Sequence, residues 1–269
     1  MNNNSTFSAT DGSDYEVVMG RWSSRLAVPF LDFAGLREGE TVLDVGCGTG
    51  RLAEAVAFGS SATRVHAVDL SPEYIDFARS RIREPRIAFD VGDACSLVFP
   101  DQSFDRVLSM LLLHFVPEPA RAISEMYRVA KPGAVVAACV WDVRGGYVAS
   151  RIFYDTAAAL DPKAQAFRAK NYTRPMTRPG ELARAWQEAG FRDVREASLA
   201  IRMDFESFQD FWAPYEKREG PAAAYLDTLS GSERASILAA VRAAYLDGES
   251  DGPRSYAALA WAVRGIKPG

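Results

Sequence analysis

The run Val42-Leu43-Asp44-Val45-Gly46-Cys47-Gly48-Thr49-Gly50 limits what this chain can fold into more than any other segment: an apolar strand passes straight into three alternating glycines and then a helix. Leaving a buried strand and turning at once into a helix requires backbone conformations that a side chain hinders, and glycine supplies them. The same glycines let a ligand lie against bare backbone. The N-terminus of the following helix, from about Arg51, presents unpaired N–H groups. A nucleotide-type site near the start of an α/β fold follows. The spacing is Gly-x-Gly-x-Gly, whereas the dinucleotide fingerprint is Gly-x-Gly-x-x-Gly, its third glycine letting helix and strand pack closely. Asp44 stands two residues before the first glycine, where its charge repels a pyrophosphate and attracts a cation. A ligand with a positive end is expected.

A second strand, residues 64–69, also ends in an acid, and Ser71 and Pro72 read as the N-cap and first turn of the next helix. At that strand tip Asp69 can accept both hydroxyls of a ribose, as the acid of a dinucleotide fold does. This feature alone does not separate nicotinamide cofactors from other adenosine ligands. A third strand, residues 86–91, leads into Gly92-Asp93-Ala94 and then, through Phe99-Pro100-Asp101-Gln102-Ser103-Phe104-Asp105, into a fourth strand over residues 106–110. Taken singly, Asp69 and Asp93 are also compatible with helix-capping or loop carboxylates.

In order and spacing, the glycine run, the Val68-Asp69-Leu70-Ser71 acid, Gly92-Asp93-Ala94 with Phe99 to Asp105, and Tyr127-Arg128-Val129-Ala130-Lys131-Pro132-Gly133 resemble the successive motifs of class I S-adenosylmethionine-dependent methyltransferases. The resemblance covers about residues 40–141. Residues 15–22 and 257–265 resemble, less specifically, a bacterial small-molecule branch of that family, of the methyltransferase domain 11/25 type. It implies S-adenosyl-L-methionine as cofactor and S-adenosyl-L-homocysteine as product. By the same resemblance Gly46, Cys47, Gly48 and Gly50 pass under the amino-acid part of the cofactor, and Asp44 attracts its ammonium. Asp69 holds the ribose hydroxyls, Leu70 packs on the adenine, and the Asp93 side chain with the Ala94 backbone reads the adenine amino edge. Ser109 and Met110, closing strand four, complete the implied cofactor-binding set.

Composition sets outer bounds. At 269 residues, 48% of them hydrophobic, the chain is long enough for one large α/β domain with an elaboration. A net charge of −4 without a basic stripe argues against nucleic acid as a partner, since phosphate contacts need clustered Lys and Arg. Cys47, Cys95 and Cys139 lie in separate elements without metal-ligand spacing, so no metal is expected and a reducing, cytoplasmic compartment suits them. No apolar run approaches the roughly 20 residues of a membrane span, so no membrane partner is expected. Residues 1–14 are polar, lack the apolar core of a signal peptide and read as a disordered tail. The oligomeric state is open.

The alternation of strands and helices points to a Rossmann-like, doubly wound α/β sheet of seven strands with its ligand at the strands' C-terminal edge. Helices are expected over about residues 20–34, 51–58, 72–83, 119–130, 150–160 and 180–189, with a loop over 174–178. Strands five, six and seven are expected over about 134–141, 194–203 and 255–264. The resemblance implies that the last strand returns antiparallel between strands five and six. Residues 15–39 read as an N-terminal helical lid, 40–204 and 253–269 as the core, and 205–252 as a helical insertion that caps the substrate. In the insertion Phe205, Phe208, Phe211, Trp212 and Tyr215 recur at helical spacing, either as the packed face of an amphipathic helix or as an aromatic lid over a small, partly apolar acceptor.

In methyl transfer from a sulfonium the leaving group is a neutral thioether, so orientation and exclusion of water supply much of the catalysis. An acceptor that carries a proton needs a base. His114, just past strand four, is the best-placed candidate, its ordinary pKa suiting proton transfer, although a packing role competes. His66, inside strand two, reads as packing. Asp142, after Trp141 at the end of strand five, is a second candidate base or substrate anchor, or else a loop acid. Tyr15, Met19, Gly20, Arg21 and Trp22 can form a lid over the cofactor, with Arg21 suited to its carboxylate, or simply anchor a helix on the core. Arg174 and Arg178 face either an acidic substrate or solvent. The expected activity is methyl transfer to a small-molecule substrate. A cofactor-binding protein without methyl transfer and a nicotinamide-dependent oxidoreductase are the alternatives. Fold does not choose among oxygen, nitrogen, carbon and sulfur acceptors.

Overall fold

The computed structural model describes Phe7, residues 11–217 and residues 219–269, apart from the side chain of Pro221. Its core is a seven-stranded sheet of β1 (Thr41–Val45), β2 (Arg64–Asp69), β3 (Ile87–Val91), β4 (Phe104–Met110), β5 (Ala130–Trp141), β6 (Arg192–Phe205) and β7 (Arg254–Ile266). The order across the sheet is β3-β2-β1-β4-β5-β7-β6. The first five strands run parallel, and β7 is antiparallel to both neighbours. Strand order reverses at the β1/β4 boundary, the crevice where such sheets bind ligands.

Helices α1 (Gly12–Tyr15) and α2 (Arg21–Ala34) precede the sheet, α3 (Arg51–Gly59) and α4 (Pro72–Arg81) link the first three strands, and α5 (Pro119–Val129) links β4 to β5. Between β5 and β6 lie α6 (Val148–Leu160), α7 (Pro162–Tyr172) and α8 (Glu181–Glu188). The β6–β7 insertion carries α9 (Phe208–Trp212), α10 (Gly220–Leu226) and α11 (Gly231–Leu246). Side chains alternate across the strands. Val42 and Leu108 enter the core under α2, α3 and the insertion, while Leu43, Val45 and Val107 enter the one under α5 and α8. By the same alternation Asp44 shares the face of Val42.

Three expectations change. The polar tail does not run through Asp14, because Asp11 accepts hydrogen bonds from the N–H groups of Ser13 and Asp14 and starts α1 at Gly12; residues 1–6 and 8–10 lie outside the described residues. The aromatic run from Phe205 is not one helix. Pairing with β7 extends β6 through Phe205, which lies opposite Arg254, and Pro214 sits in a 3-10 turn that follows the short α9. Helix α7 fills a stretch without an assigned element, capped by Asp161, which accepts from the Lys163 N–H, and led by Pro162.

Candidate active site

The glycine loop is tied to the end of β2, for the N–H groups of Gly46 and Cys47 donate to the Val68 carbonyl at 2.8 and 3.0 Å. Gly46, Gly48 and Gly50 all have positive φ, but for different ends. A Cβ at Gly46 would stand 2.6 Å from Leu112, and one at Gly50 would stand 2.8 Å from Ile82 and Phe89, so these two glycines serve packing. At Gly48 the nearest atoms are those of the Tyr15 ring, 3.7–3.8 Å away. Gly48 is therefore the bare-backbone face that a ligand can reach.

Three acids surround this loop. Asp69 accepts from the Gly48 N–H at 2.8 Å through Oδ2 and from the Ser71 N–H at 3.0 Å through Oδ1, leaving each oxygen a further lone pair. Burial raises its pKa against these hydrogen bonds. Asp93 accepts from the Cys95 N–H at 2.8 Å, in a turn joined to β2 by the bond from the Gly92 N–H to the Asp69 carbonyl. Leu70 and Ala94 are half-buried in the same region of the chain. Asp44 is the anomaly, only 1% exposed with both carboxylate oxygens enclosed and unpartnered. Burial first and the Asp69 charge second push its pKa up to about 8. An enclosed carboxyl of this kind costs about 1–3 kcal/mol until a donor or cation reaches it. An amino-acid ammonium over the loop, with ribose hydroxyls on Asp69, fits these donors and acceptors.

The side chains of Ser109 and Met110, implied as cofactor contacts, are engaged within the protein. The Ser109 hydroxyl is fully enclosed and donates to the Val45 carbonyl at 3.0 Å, so it ties β4 to β1. The Met110 side chain packs within the core. Arg21, expected on the cofactor carboxylate, instead grips Asp210 of the insertion with two contacts of 3.0 Å and lies 4.1 Å over the Trp22 ring. Tyr15 does sit over Gly48, its ring 4.9 Å from that of Tyr74. Glu16, which sequence reasoning missed, pins the same segment to the start of α3 by accepting from Thr49 Oγ1 and, at 2.9 Å, from Arg51 Nε.

Beside the loop lies a cavity of about 140 Å³ whose wall includes Tyr15, Trp141, Tyr147, Tyr154, Phe205 and Tyr215. Phe211 also lines it, whereas Phe208 and Trp212 are buried in the core, so the aromatic run of the insertion is divided between cavity wall and core packing. Leu111, at the cavity edge, holds φ +64, a left-handed conformation that leucine rarely adopts, and donates its N–H to the Cys139 carbonyl at 2.7 Å. Glu219 is the one charged residue among the described lining residues.

His114 lines this cavity but is not a poised base. It is 3% exposed, Nδ1 is enclosed without a partner, and the ring packs 4.0 Å from Phe115. Burial, helped by the nearby Arg174 charge, pushes its pKa down to about 3. Asp142 is absent from the lining. It accepts from the N–H groups of Arg144 and Gly145 at 3.2 and 2.9 Å and so acts as a turn acid. Arg174 lies 4.4 Å over the Phe115 ring, Arg178 pairs with Glu181, and His66 packs edge-on against Phe99 and Phe104. Among the described residues there is no group of metal-binding side chains, and no helix is long and apolar enough to cross a membrane.

A sheet of this order, with a glycine loop at its switch point and acids at three successive strand ends, defines a class I methyltransferase. A family profile of the methyltransferase domain matches residues 43–138. The chain is 30% identical over 171 residues to a demethylmenaquinone methyltransferase of Clavibacter sepedonicus, covering 60% of this chain and 69% of that one. It belongs to the S-adenosylmethionine-dependent methyltransferases. It is also 38% identical over 111 residues to the methyltransferase GfsG of Streptomyces halstedii (40% of each chain), and 31% identical over 183 residues to a 2-methyl-6-phytyl-1,4-hydroquinone methyltransferase of Oryza sativa (68% of this chain). Of these two relatives the matched regions span only 40% and 50%. In fold it is similar to Haemonchus contortus phosphoethanolamine N-methyltransferase 2, solved with S-adenosyl-L-methionine, at 17% identity and a TM-score of 0.61 over 95% of this chain and 57% of that one. The cyclase SpnF shares the fold at 23% identity and a TM-score of 0.55, over 99% and 87% of the two chains.

Proposed function

We propose that this chain transfers the methyl group of S-adenosyl-L-methionine to a small, uncharged, largely apolar acceptor held in the aromatic cavity. The observation that carries this reading is the cavity wall. It is built of aromatic and aliphatic side chains, its described members include no Lys or Arg to read a phosphate or carboxylate, and its one carboxylate is already engaged by the Tyr74 hydroxyl and the Asp11 N–H. Two relatives carry names that specify quinone-type acceptors, which suit such a wall.

In this reading Gly48 and Tyr15 enclose the amino-acid end of the cofactor, with Cys47 in the same loop. Asp44 meets its ammonium, Asp69 its ribose, Leu70 its adenine face, and Asp93 with the Ala94 backbone its adenine edge. Bound there, the sulfonium supplies a methyl group ready for displacement and leaves as a neutral thioether. The protein's own part is to hold the acceptor in line and keep water out. Residues 15–39 act as the lid and 205–252 as the substrate cap. Neutral His114 orients the acceptor by a hydrogen bond and is a poor proton sink, so the uncharged acceptor attacks through its own lone pair and gives up its proton to solvent as the product leaves.

A second reading, cofactor binding without methyl transfer, shares the same cofactor placement and differs only in turnover. Calorimetric titration with S-adenosyl-L-methionine, S-adenosyl-L-homocysteine and NAD, each alone, comes first. Micromolar binding of the first two and none of NAD is expected. Incubation with hydroquinones, phenols and amines should then release S-adenosyl-L-homocysteine for an uncharged ring acceptor. Tight cofactor binding without turnover on any of them would favour the second reading, and binding of NAD alone would overturn both.

A further inference from the structure

We infer that Glu219, just ahead of α10 in the insertion, is a positioning residue that couples the acceptor cavity to the cofactor loop. The inference rests on the cofactor placement proposed above. Glu219 is 3% exposed and lines the cavity, yet two of its hydrogen bonds lead away from it. Oε2 accepts from the Tyr74 hydroxyl at 2.9 Å, and Oε1 accepts from the Asp11 N–H at 2.6 Å. Tyr74, on α4, packs its ring 4.9 Å from that of Tyr15, and Tyr15 is the residue above Gly48. Asp11 is the cap of α1, the helix that ends at Tyr15.

One carboxylate of the insertion thus holds Tyr15 from two directions, the ring through Tyr74 and the backbone through the α1 cap. Both carboxyl oxygens of this enclosed side chain are held by donors that would be costly to lose, so the junction is stiff. Burial and the neighbouring Glu219 raise the Tyr74 phenol pKa, keeping it a proton donor. The half-buried pair of Lys217 and Asp14, at 2.8 Å, links the same two segments. An acceptor that fills the cavity touches Glu219 and thereby steadies the cover over Gly48, so acceptor and cofactor favour each other's binding, a coupling that must be reciprocal.

The test compares two ligands by calorimetry on the full chain: S-adenosyl-L-homocysteine, which has the amino-acid part that Tyr15 covers, and 5′-methylthioadenosine, which lacks it. Glu219→Ala is expected to weaken the first about tenfold and the second less than about twofold, as one buried hydrogen-bond junction is lost. Tyr74→Phe, which keeps the ring, should weaken the first about threefold, and the double variant should bind no worse than Glu219→Ala alone, because the two residues act through one contact. Equal losses for both ligands, additive losses in the double variant, or unchanged affinity in Glu219→Ala would overturn the inference. A wild-type protein that binds neither ligand would instead overturn the cofactor placement, and the inference with it.

Discussion

Replacing Asp44 by asparagine is expected to stabilise the protein progressively, relative to wild type, as pH rises. Four groups bear on this carboxyl: the Asp69 charge from β2, the Cys47 thiol from the loop, the Ala53 N–H from α3, which falls short of hydrogen-bonding geometry, and the bulk of the closed core. Burial first and Asp69 second raise its pKa from 3.8 to about 8. Between those values the folded protein keeps a proton that the unfolded chain has released. The stability this group contributes is complete below the lower value and is lost as pH rises towards the upper one. The slope is about 1.4 kcal/mol per pH unit for one proton. Between pH 5 and 7 the wild type therefore loses about 3 kcal/mol that the Asp44→Asn variant, which cannot ionise at this position, does not lose. Urea unfolding of both proteins at pH 5, 6 and 7 measures the difference directly, with all other titrating groups shared. On the proposed cofactor placement, the same ionisation is restored when the cofactor's ammonium docks. Binding of S-adenosyl-L-homocysteine near pH 6.5 should accordingly release about one proton from wild type and none from the variant, read from calorimetric enthalpies in buffers of different ionisation heat. Parallel stability profiles for the two proteins, or equal proton release, would refute the reasoning.

With its pKa near 3, His114 is neutral at every working pH, so the pH profile of kcat should show no limb near 6.5 that His114→Gln abolishes; such a limb would restore it as a base. Gly50→Ala should destabilise the fold more than Gly48→Ala in urea unfolding. Both carry the left-handed cost of about 1–2 kcal/mol, and only the first adds overpacking of about 1–3 kcal/mol against Ile82 and Phe89. Gly48→Ala should instead weaken cofactor binding, and the reverse order of stabilities would contradict the division of labour among the glycines.

What the sequence made legible was local. The glycine loop, the Ser71-Pro72 start of α4 and the acids at three strand ends are written in contiguous residues because backbone conformation and nearby hydrogen bonds determine them, as Ser71 Oγ shows by accepting from the Tyr74 N–H at 3.2 Å. Several expectations that changed involve partners far along the chain. A guanidinium such as that of Arg21 suits a ligand carboxylate equally well, and its partner Asp210 lies 189 residues away. His114 carries no local sign that Arg174 and the cavity wall will strip its basicity. The aromatic spacing from Phe205 to Tyr215 identified buried side chains correctly but the wrong element, since pairing with β7, a non-local event, keeps Phe205 in a strand.

The same distinction separates the two halves of the active site. On the proposed cofactor placement, the cofactor half depends on bare backbone and on acids fixed at strand tips, features written in short contiguous motifs. The acceptor half is assembled from residues around 15–22, 111–115, 141–154, 171 and 203–222, which meet only when the insertion folds back over the sheet edge. Its walls can diverge without disturbing a motif, because they come from segments far apart in the chain. On the proposed reading, acceptor choice is expected to follow from junctions such as Glu219 with Tyr74 and Arg21 with Asp210, which tie the insertion to α4 and α2, as much as from the side chains that face the cavity.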